Sequence, residues 1–122
     1  MRARTFDRLV RNAIARIPAP FRAVLDQVAV VVEDWPDPEL MREVTGDPDA
    51  VLYGLFDGVP LPERSVDDPA GLPATIRIYR GPLLADYPRL AELEREIEVT
   101  LVHEIAHLMG LDDETINAYG YE

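Results

Sequence analysis

The chain has 122 residues, contains no cysteine and carries a formal net charge of −11 at neutral pH. Its length corresponds to one domain, and the lack of cysteine excludes disulfides and thiolate zinc sites. The acidic balance argues against a nucleic-acid partner, because phosphate binding needs a basic face. No apolar run reaches the roughly 18 residues of a membrane span, and the start does not resemble a secretory signal. We therefore expect a single cytoplasmic domain over residues 1–122.

The first half of the chain is predicted to contain short helices and two strands. Apolar residues recur at helical spacing over Thr5–Ile17, and Pro18 ends that pattern. A second short helix over Pro20–Gln27 leads into the β-branched run Val28–Glu33, which predicts a buried strand. The remaining predictions are a turn at Asp34–Asp37, a short helix over Pro38–Val44 and a strand over Val51–Phe56.

The second half is predicted to contain a loop, a strand and the longest helix. The segment Leu61–Leu72 is rich in Pro, Asp and Gly and predicts a loop. Alternation over Thr75–Arg80 predicts a strand, which is a candidate edge for pairing with an extended peptide. Short helices are predicted over Pro82–Tyr87 and Asp113–Tyr119, and a long one over Arg89–Met109. Together the elements predict an α+β fold in which helices back a small sheet.

The long helix is predicted to have a core-facing stripe and a charged surface. At 100° per residue, four apolar residues share the face expected to point to the core, namely Leu90, Ile97, Leu101 and Leu108. A charged cluster is predicted to form a solvated surface, and its members are Glu92, Glu94, Arg95, Glu96 and Glu98. His103 and His107 project roughly 100° or more away from the apolar stripe, on a different flank of the helix.

Residues 103–113 have the order His-Glu-x-x-His-x-x-Gly-x-x-Asp and include both histidines of the chain. Side chains four residues apart share a helix face, so His103 and His107 can face one metal ion, with Glu104 beside them as a candidate general base. Gly110 can end the helix in a left-handed conformation, which lets the chain turn back and present Asp113. Two nitrogens, one carboxylate and one open position for water are the arrangement of a catalytic zinc site.

Two features of the site remain open in the sequence. Asp112 or Glu114 could replace Asp113 as the third ligand, although a carboxylate at a helix start also serves as an ordinary cap. The spacing favours Asp113. Tyr119 and Tyr121, near the end of the chain, are candidate donors to an oxyanion.

The motif resembles the signature of a known family. Residues 103–113 look like the Asp-zincin motif, and much of the chain, about residues 21–119, is similar to a family of small bacterial zincin-like metallopeptidases. The resemblance implies a minimal zincin fold, with a small mixed sheet and a long active-site helix, and hydrolysis of peptide or protein substrates. It also implies a zinc ion and a general base, with His103, His107 and Asp113 as ligands and Glu104 as the base.

Two other functions are consistent with the sequence. Only nine residues follow Asp113, so any cleft has a small lower wall, and a zincin-like protein that binds metal or peptide without turnover stays open. A metal-dependent endoribonuclease family has the same histidine spacing. It has a histidine where this chain has Asp113, however, and usually lacks the glutamate found here at Glu104. The exchange Glu104→Gln discriminates between a hydrolase and a binding protein, because a binding protein would tolerate it and a hydrolase would not.

Overall fold

The computed structural model describes residues 2–58 and 74–121, and these contain six α-helices and three β-strands. In chain order they are α1 (Ala3–Arg16), α2 (Ala19–Leu25), β1 (Val28–Glu33), α3 (Pro38–Thr45), β2 (Gly54–Asp57), β3 (Ala74–Tyr79), α4 (Arg80–Asp86), α5 (Leu90–Met109) and α6 (Asp113–Ala118). Each predicted helix and strand is present within a few residues of its expected bounds, which confirms the α+β class. The predicted loop over residues 61–72 lies outside the described residues. None of the described helices is long and apolar enough to cross a bilayer.

The three strands form one mixed sheet in the order β1-β3-β2. β3 runs parallel to β1, with Val28 opposite Ala74, and antiparallel to β2, with Phe56 opposite Ile76. The strand predicted over residues 75–80 is therefore central, and the prediction that it offers an edge to a peptide is wrong. Alternation indicates that one face of a strand is buried, but it does not reveal which strands lie beside it.

Helices cover one face of this sheet. α5 packs across β2 and β3, α2 contacts β1, and α1 packs along α5. Exposure alternates along β1, and Val31 is exposed. The prediction that β1 is a buried strand is therefore wrong, because β-branched residues suit a pleated surface whether or not a second layer covers it. The core between sheet and helices includes Phe6, Phe21, Ile76, Ile78, Leu93, Ile97 and Leu101.

The long helix α5 lies in the centre of this core. Ile97, Leu101 and Leu108 from the predicted stripe are buried. The fourth residue of the stripe, Leu90, is exposed at the first position of the helix, so this part of the prediction is wrong. The angular pattern of a helix identifies the face that points inward, but not how far along the axis the core extends.

Glu98 is buried, although the sequence predicted its charged segment as a solvated surface. Its carboxylate accepts hydrogen bonds from Arg16 Nε at 3.0 Å, from Arg95 Nη1 at 3.0 Å and from the Tyr121 hydroxyl at 2.6 Å. A buried carboxylate is tolerated when charged and polar partners of this kind compensate for the lost water. Arg16 and Tyr121 lie 82 and 23 residues away in sequence, so the pattern of α5 alone could not have indicated the network.

Candidate metal centre

The histidine motif occupies the last two turns of α5. His103 and His107 are one helical turn apart, and Gly110 ends the helix with φ 73° and ψ 25°. The N–H of Gly110 donates to the carbonyl groups of Ala106 and His107. The left-handed end predicted at Gly110 is confirmed, and glycine takes this conformation without the strain that a Cβ atom adds.

His103 presents a buried nitrogen atom to the site. Its Nε2 atom is buried, and no described residue provides a hydrogen-bond partner for it. An unsatisfied buried polar atom costs roughly 1–3 kcal/mol, and such atoms are rare in folded proteins unless they have a functional role. A neutral imidazole nitrogen is also a common zinc ligand. The environment of His103 Nε2 therefore fits a metal ligand.

Glu104 and His107, which belong to the same motif, contact each other. His107 Nδ1 lies 3.4 Å from Glu104 Oε2, and the two side chains are 56% and 14% exposed, respectively. The same Oε2 atom accepts a hydrogen bond from the backbone N–H of Phe56 at 2.9 Å. The Glu104 carboxylate is thus held between α5 and β2, next to the imidazole of His107. Sequence reasoning missed Phe56, because it donates through its backbone N–H, and almost every residue type has that group.

The hydrogen-bond ladder between β2 and β3 explains why the backbone N–H of Phe56 points at Glu104. The N–H of Tyr79 donates to the carbonyl of Tyr53 at 2.8 Å, so these residues form a hydrogen-bonded pair. In an antiparallel ladder such pairs alternate along the strand, and the residues between them direct their backbone groups outward. Gly54 and Phe56 hold these intermediate positions, so their N–H and carbonyl groups point away from β3.

Gly54 allows β2 to lie close to α5. A Cβ atom at this position would be 2.7 Å from Thr100 Cγ2 and 3.1 Å from the carbonyl oxygen of Arg77. Carbon atoms in normal contact are about 3.5–4.0 Å apart, so any larger residue would push the strand from the helix. The glycine therefore helps to bring Phe56 within reach of Glu104.

The candidate third ligands lie at the start of α6. Asp112 is the N-cap residue, and its Oδ1 atom accepts hydrogen bonds from the hydroxyl and the N–H of Thr115 at 2.7 and 2.9 Å. Both hydrogen bonds lower the pKa of Asp112, and the one from the hydroxyl has the larger effect. Asp112 thus serves as an ordinary helix cap. Asp113 and Glu114 are the first two residues of α6 and are exposed.

The structure does not bring the predicted ligand set together. Within residues 2–58 and 74–121, no three His, Asp or Glu side chains converge as a group that could hold a metal ion. Glu104, the predicted base, contacts His107, but His103, His107 and Asp113 do not form such a group. His107 and Asp113 are both exposed, so their side chains can rotate without displacing core atoms. The role of Asp113 stays a prediction from its spacing.

The two tyrosines proposed as oxyanion donors have packing roles. The Tyr121 hydroxyl donates to Glu98, and its ring lies under the guanidinium of Arg95. Burial and the Glu98 hydrogen bond raise the pKa of Tyr121 to about 12. Because this hydroxyl is buried and already donates to Glu98, the prediction that Tyr121 donates to an oxyanion is wrong. Tyr119 packs edge-on against Phe21, with ring centroids 4.9 Å apart, and its proposed role stays a prediction.

The mixed sheet, the long helix beside it and the His-Glu-x-x-His order together define a small zincin-type scaffold. The chain belongs to the zincin-like metallopeptidase family, whose sequence model matches residues 25–121. That match spans all three strands as well as α3 to α6. Comparison with curated proteins gives no match. The resemblance seen in residues 103–113 is thus confirmed at the level of the family and its fold.

Proposed function

We propose that this member of the family is a zinc-dependent peptidase, with zinc on His103, His107 and Asp113 and with Glu104 as the general base. One observation carries the proposal. The Nε2 atom of His103 is buried without a hydrogen-bond partner in the described residues, and a second histidine, in contact with Glu104, lies one helical turn further along α5. Family membership supports the peptidase class, and these side chains support the particular residues.

The donor types fit zinc. Two imidazole nitrogens and one carboxylate oxygen are typical of catalytic zinc sites, which keep a further position open. The chain contains no cysteine, so nitrogen and oxygen are the donors that its side chains can offer for this purpose. A zinc ion held there would supply Lewis-acid chemistry, which activates water and polarises a peptide carbonyl.

In this proposal Glu104 moves the proton that the hydrolysis of a peptide bond requires. As general base, its carboxylate would accept a proton from the attacking water and then pass it to the amine that leaves. The hydrogen bond from Phe56 and the contact with His107 are both made by Oε2. These contacts restrain the carboxylate beside His107, which supports the role of general base.

β2, which is the outermost strand on its side of the sheet among residues 2–58 and 74–121, is suited to align a peptide substrate. Gly54 directs its N–H and carbonyl group away from β3, and Phe56 its carbonyl group, and an extended peptide can pair with groups of this kind. The N–H of Phe56 is taken by Glu104. Because the N–H of Phe56 lies beside Glu104, a peptide along β2 would pass close to the proposed base. This alignment replaces the role that the sequence suggested for the central strand.

The exchange Glu104→Gln tests the proposal. We expect this variant to keep its zinc, measured by metal analysis, and to lose digestion of a peptide library by at least about 100-fold, since a general base contributes about that factor or more. Glu92→Gln, on an exposed position of the same helix, is the matched control and should digest the library like wild type. Zinc content should fall in His103→Ala. Equal digestion by wild type and Glu104→Gln would refute the catalytic assignment and favour a binding protein.

A further inference from the structure

A second concave site lies between residues 34–52 and α4. It is a cavity of about 290 Å³, and much of its wall is apolar, with Trp35, Met41, Leu52 and Pro82 among the lining residues. This volume is at the small end of the range for ligand sites, which is roughly 300–1,000 Å³. The cavity therefore suits one large side chain better than a cofactor.

Trp35 gives the wall a large exposed apolar surface. It is the only tryptophan of the chain, and its indole rests on Gly81, where a Cβ atom would lie 2.1 Å from Trp35 Cε2. The residue is nevertheless 63% exposed, and Val51 in the same wall is 61% exposed. An aromatic ring that is fixed on one side and open to water on the other is typical of a binding surface.

The charge around this cavity is negative. Both charged residues in the described lining are aspartates, Asp49 and Asp86. Residues 34–52 and 80–86 together contain seven acidic and two basic residues, and one of the basic ones, Arg80, is paired with Asp34. Electrostatic complementarity therefore favours a cationic occupant.

The cavity and the metal centre lie along the same stretch of chain. Leu52 lines the cavity and precedes by four residues Phe56, whose N–H contacts Glu104. Because β2 begins only at Gly54 and an extended chain rises about 3.3 Å per residue, this separation is at most about 13 Å. One extended peptide beside β2 can therefore reach both places.

We propose that the cavity is a substrate subsite, which binds one large apolar side chain flanked by lysine or arginine, about four residues from the bond that is cleaved. The position of that bond rests on the proposed peptidase function, whereas the binding itself does not. The apolar wall stabilises the side chain by removing it from water. Asp49 and Asp86 attract the flanking cations.

Trp35 makes the binding directly measurable, because its fluorescence responds to the exposure of the indole to water. The full chain as Glu104→Gln, which prevents turnover, is titrated with a capped pentapeptide that has leucine at its centre and two lysines on each side. We expect a saturable blue shift. A peptide with glycine in place of the leucine should bind at least about tenfold more weakly, because it has no side chain to bury. Equal binding of the two peptides would overturn the proposal.

Two valines provide a matched pair of variants. Val51→Arg places a cation in the wall of the cavity and should weaken binding of the leucine peptide at least about tenfold, through both steric and charge repulsion. Val44→Arg makes the same exchange at a valine that is 47% exposed on α3 and should leave binding unchanged. Equal affinity in the two variants would overturn the proposal. A blue shift that grows with protein concentration alone would also overturn it, since a second copy would then be the occupant.

The same peptides separate this proposal from the peptidase function. The zinc-loaded wild-type chain is incubated with a peptide library and is also titrated with the leucine peptide. Hydrolysis of the library without a Trp35 shift would overturn the subsite and leave the peptidase function standing. A shift that depends on leucine and on Val51, without any hydrolysis, would leave the cavity as a peptide site and refute the peptidase function.

Discussion

Glu104 receives its orientation from a backbone group on a neighbouring strand. The N–H of Phe56 donates to its carboxylate, and a hydrogen bond to a charged group contributes about 1.5–3 kcal/mol. That is enough to favour one side-chain position strongly over the alternatives. The catalytic assignment thus involves a residue whose own side chain takes no part in the chemistry.

Phe56→Pro tests this hydrogen bond, and Phe56→Ala is its matched control. Both variants lose the phenyl ring, but only the proline variant loses the N–H. This N–H points away from β3, so proline removes no ladder hydrogen bond at that position. We expect kcat for peptide hydrolysis to be about 100-fold lower in the proline variant than in the alanine variant, with similar KM and zinc content. Equal kcat values would show that the N–H does not position Glu104.

Gly54→Ala tests the close approach of β2 to α5. The added Cβ would lie 2.7 Å from Thr100 Cγ2, so we expect the free energy of unfolding to fall by about 1–3 kcal/mol. Thr100→Ser removes that methyl group, and in this background the alanine should cost less. Urea denaturation followed by circular dichroism measures all four proteins. If Gly54→Ala lowered the free energy of unfolding equally in wild type and in Thr100→Ser, the close contact with Thr100 Cγ2 would be contradicted.

The sequence predicted the motif residues but not the groups that hold them. Glu104 and His107 are three residues apart on one helix, so their contact follows from local periodicity. Phe56 is 48 residues from Glu104, and it contributes through its backbone. A contact of this kind depends on how β2 packs against α5, and no residue pattern within either element encodes it.

At the level of elements, the Glu98 network fixes the position of the chain after α5. The Arg95 guanidinium donates both to Glu98 and, at 2.8 Å, to the carbonyl of Gly120. The Tyr121 hydroxyl donates to the same carboxylate. The segment that follows α6 is therefore anchored to α5. Because α6 begins at Asp113, this anchor also helps to set where the proposed third ligand lies.

The raised pKa of Tyr121 predicts that this anchor weakens at alkaline pH. Burial and the Glu98 hydrogen bond raise the pKa from 10.0 to about 12, so the folded state favours the neutral phenol. This contribution to stability is complete below about pH 10 and is lost as the pH rises from 10 towards 12. The loss is about 3 kcal/mol in the free energy of unfolding once the pH exceeds 12, since the pKa difference between 10.0 and about 12 corresponds to about 1.4 kcal/mol per pH unit.

Tyr121→Phe should remove this part of the alkaline loss, because it has no proton to release. Urea denaturation at about pH 9 and about pH 12 measures the loss of stability for each protein. Tyr119→Phe, at an exposed ring, is the control and should lose as much stability as wild type. A loss in Tyr121→Phe as large as that in wild type would contradict the assigned role.

The elements could be predicted from the sequence, whereas their arrangement could not. Thr75–Arg80 alternates clearly, which is enough to identify a strand, yet its central place depends on pairing with β1 and β2. The exposure of Leu90 and the burial of Glu98 could not be predicted for the same reason. Each depends on neighbours from distant segments, such as Arg16 for Glu98.

At the scale of the whole molecule, binding of zinc should stabilise the fold. A ligand that binds only the folded state adds about 2.7 kcal/mol to the free energy of unfolding when its concentration is 100 times its dissociation constant. We expect added zinc to raise the thermal midpoint of wild type, measured by circular dichroism. His103→Ala should show a much smaller rise, because the remaining ligands bind zinc weakly. Magnesium, which prefers oxygen ligands in an octahedral arrangement, is the control and should have little effect.

The same measurement identifies the third ligand, because the three acidic residues before and within α6 differ in structural role. Asp112→Ala removes the N-cap hydrogen bonds to Thr115, so its midpoint without zinc should fall while the rise on adding zinc is kept. Asp113→Ala should leave the midpoint without zinc near that of wild type and lose most of the rise. Glu114→Ala should resemble wild type in both respects. If Glu114→Ala or Asp112→Ala lost the rise instead, that residue would replace Asp113 as the ligand. If all three variants kept the rise on adding zinc, the metal would be held without a carboxylate from residues 112–114.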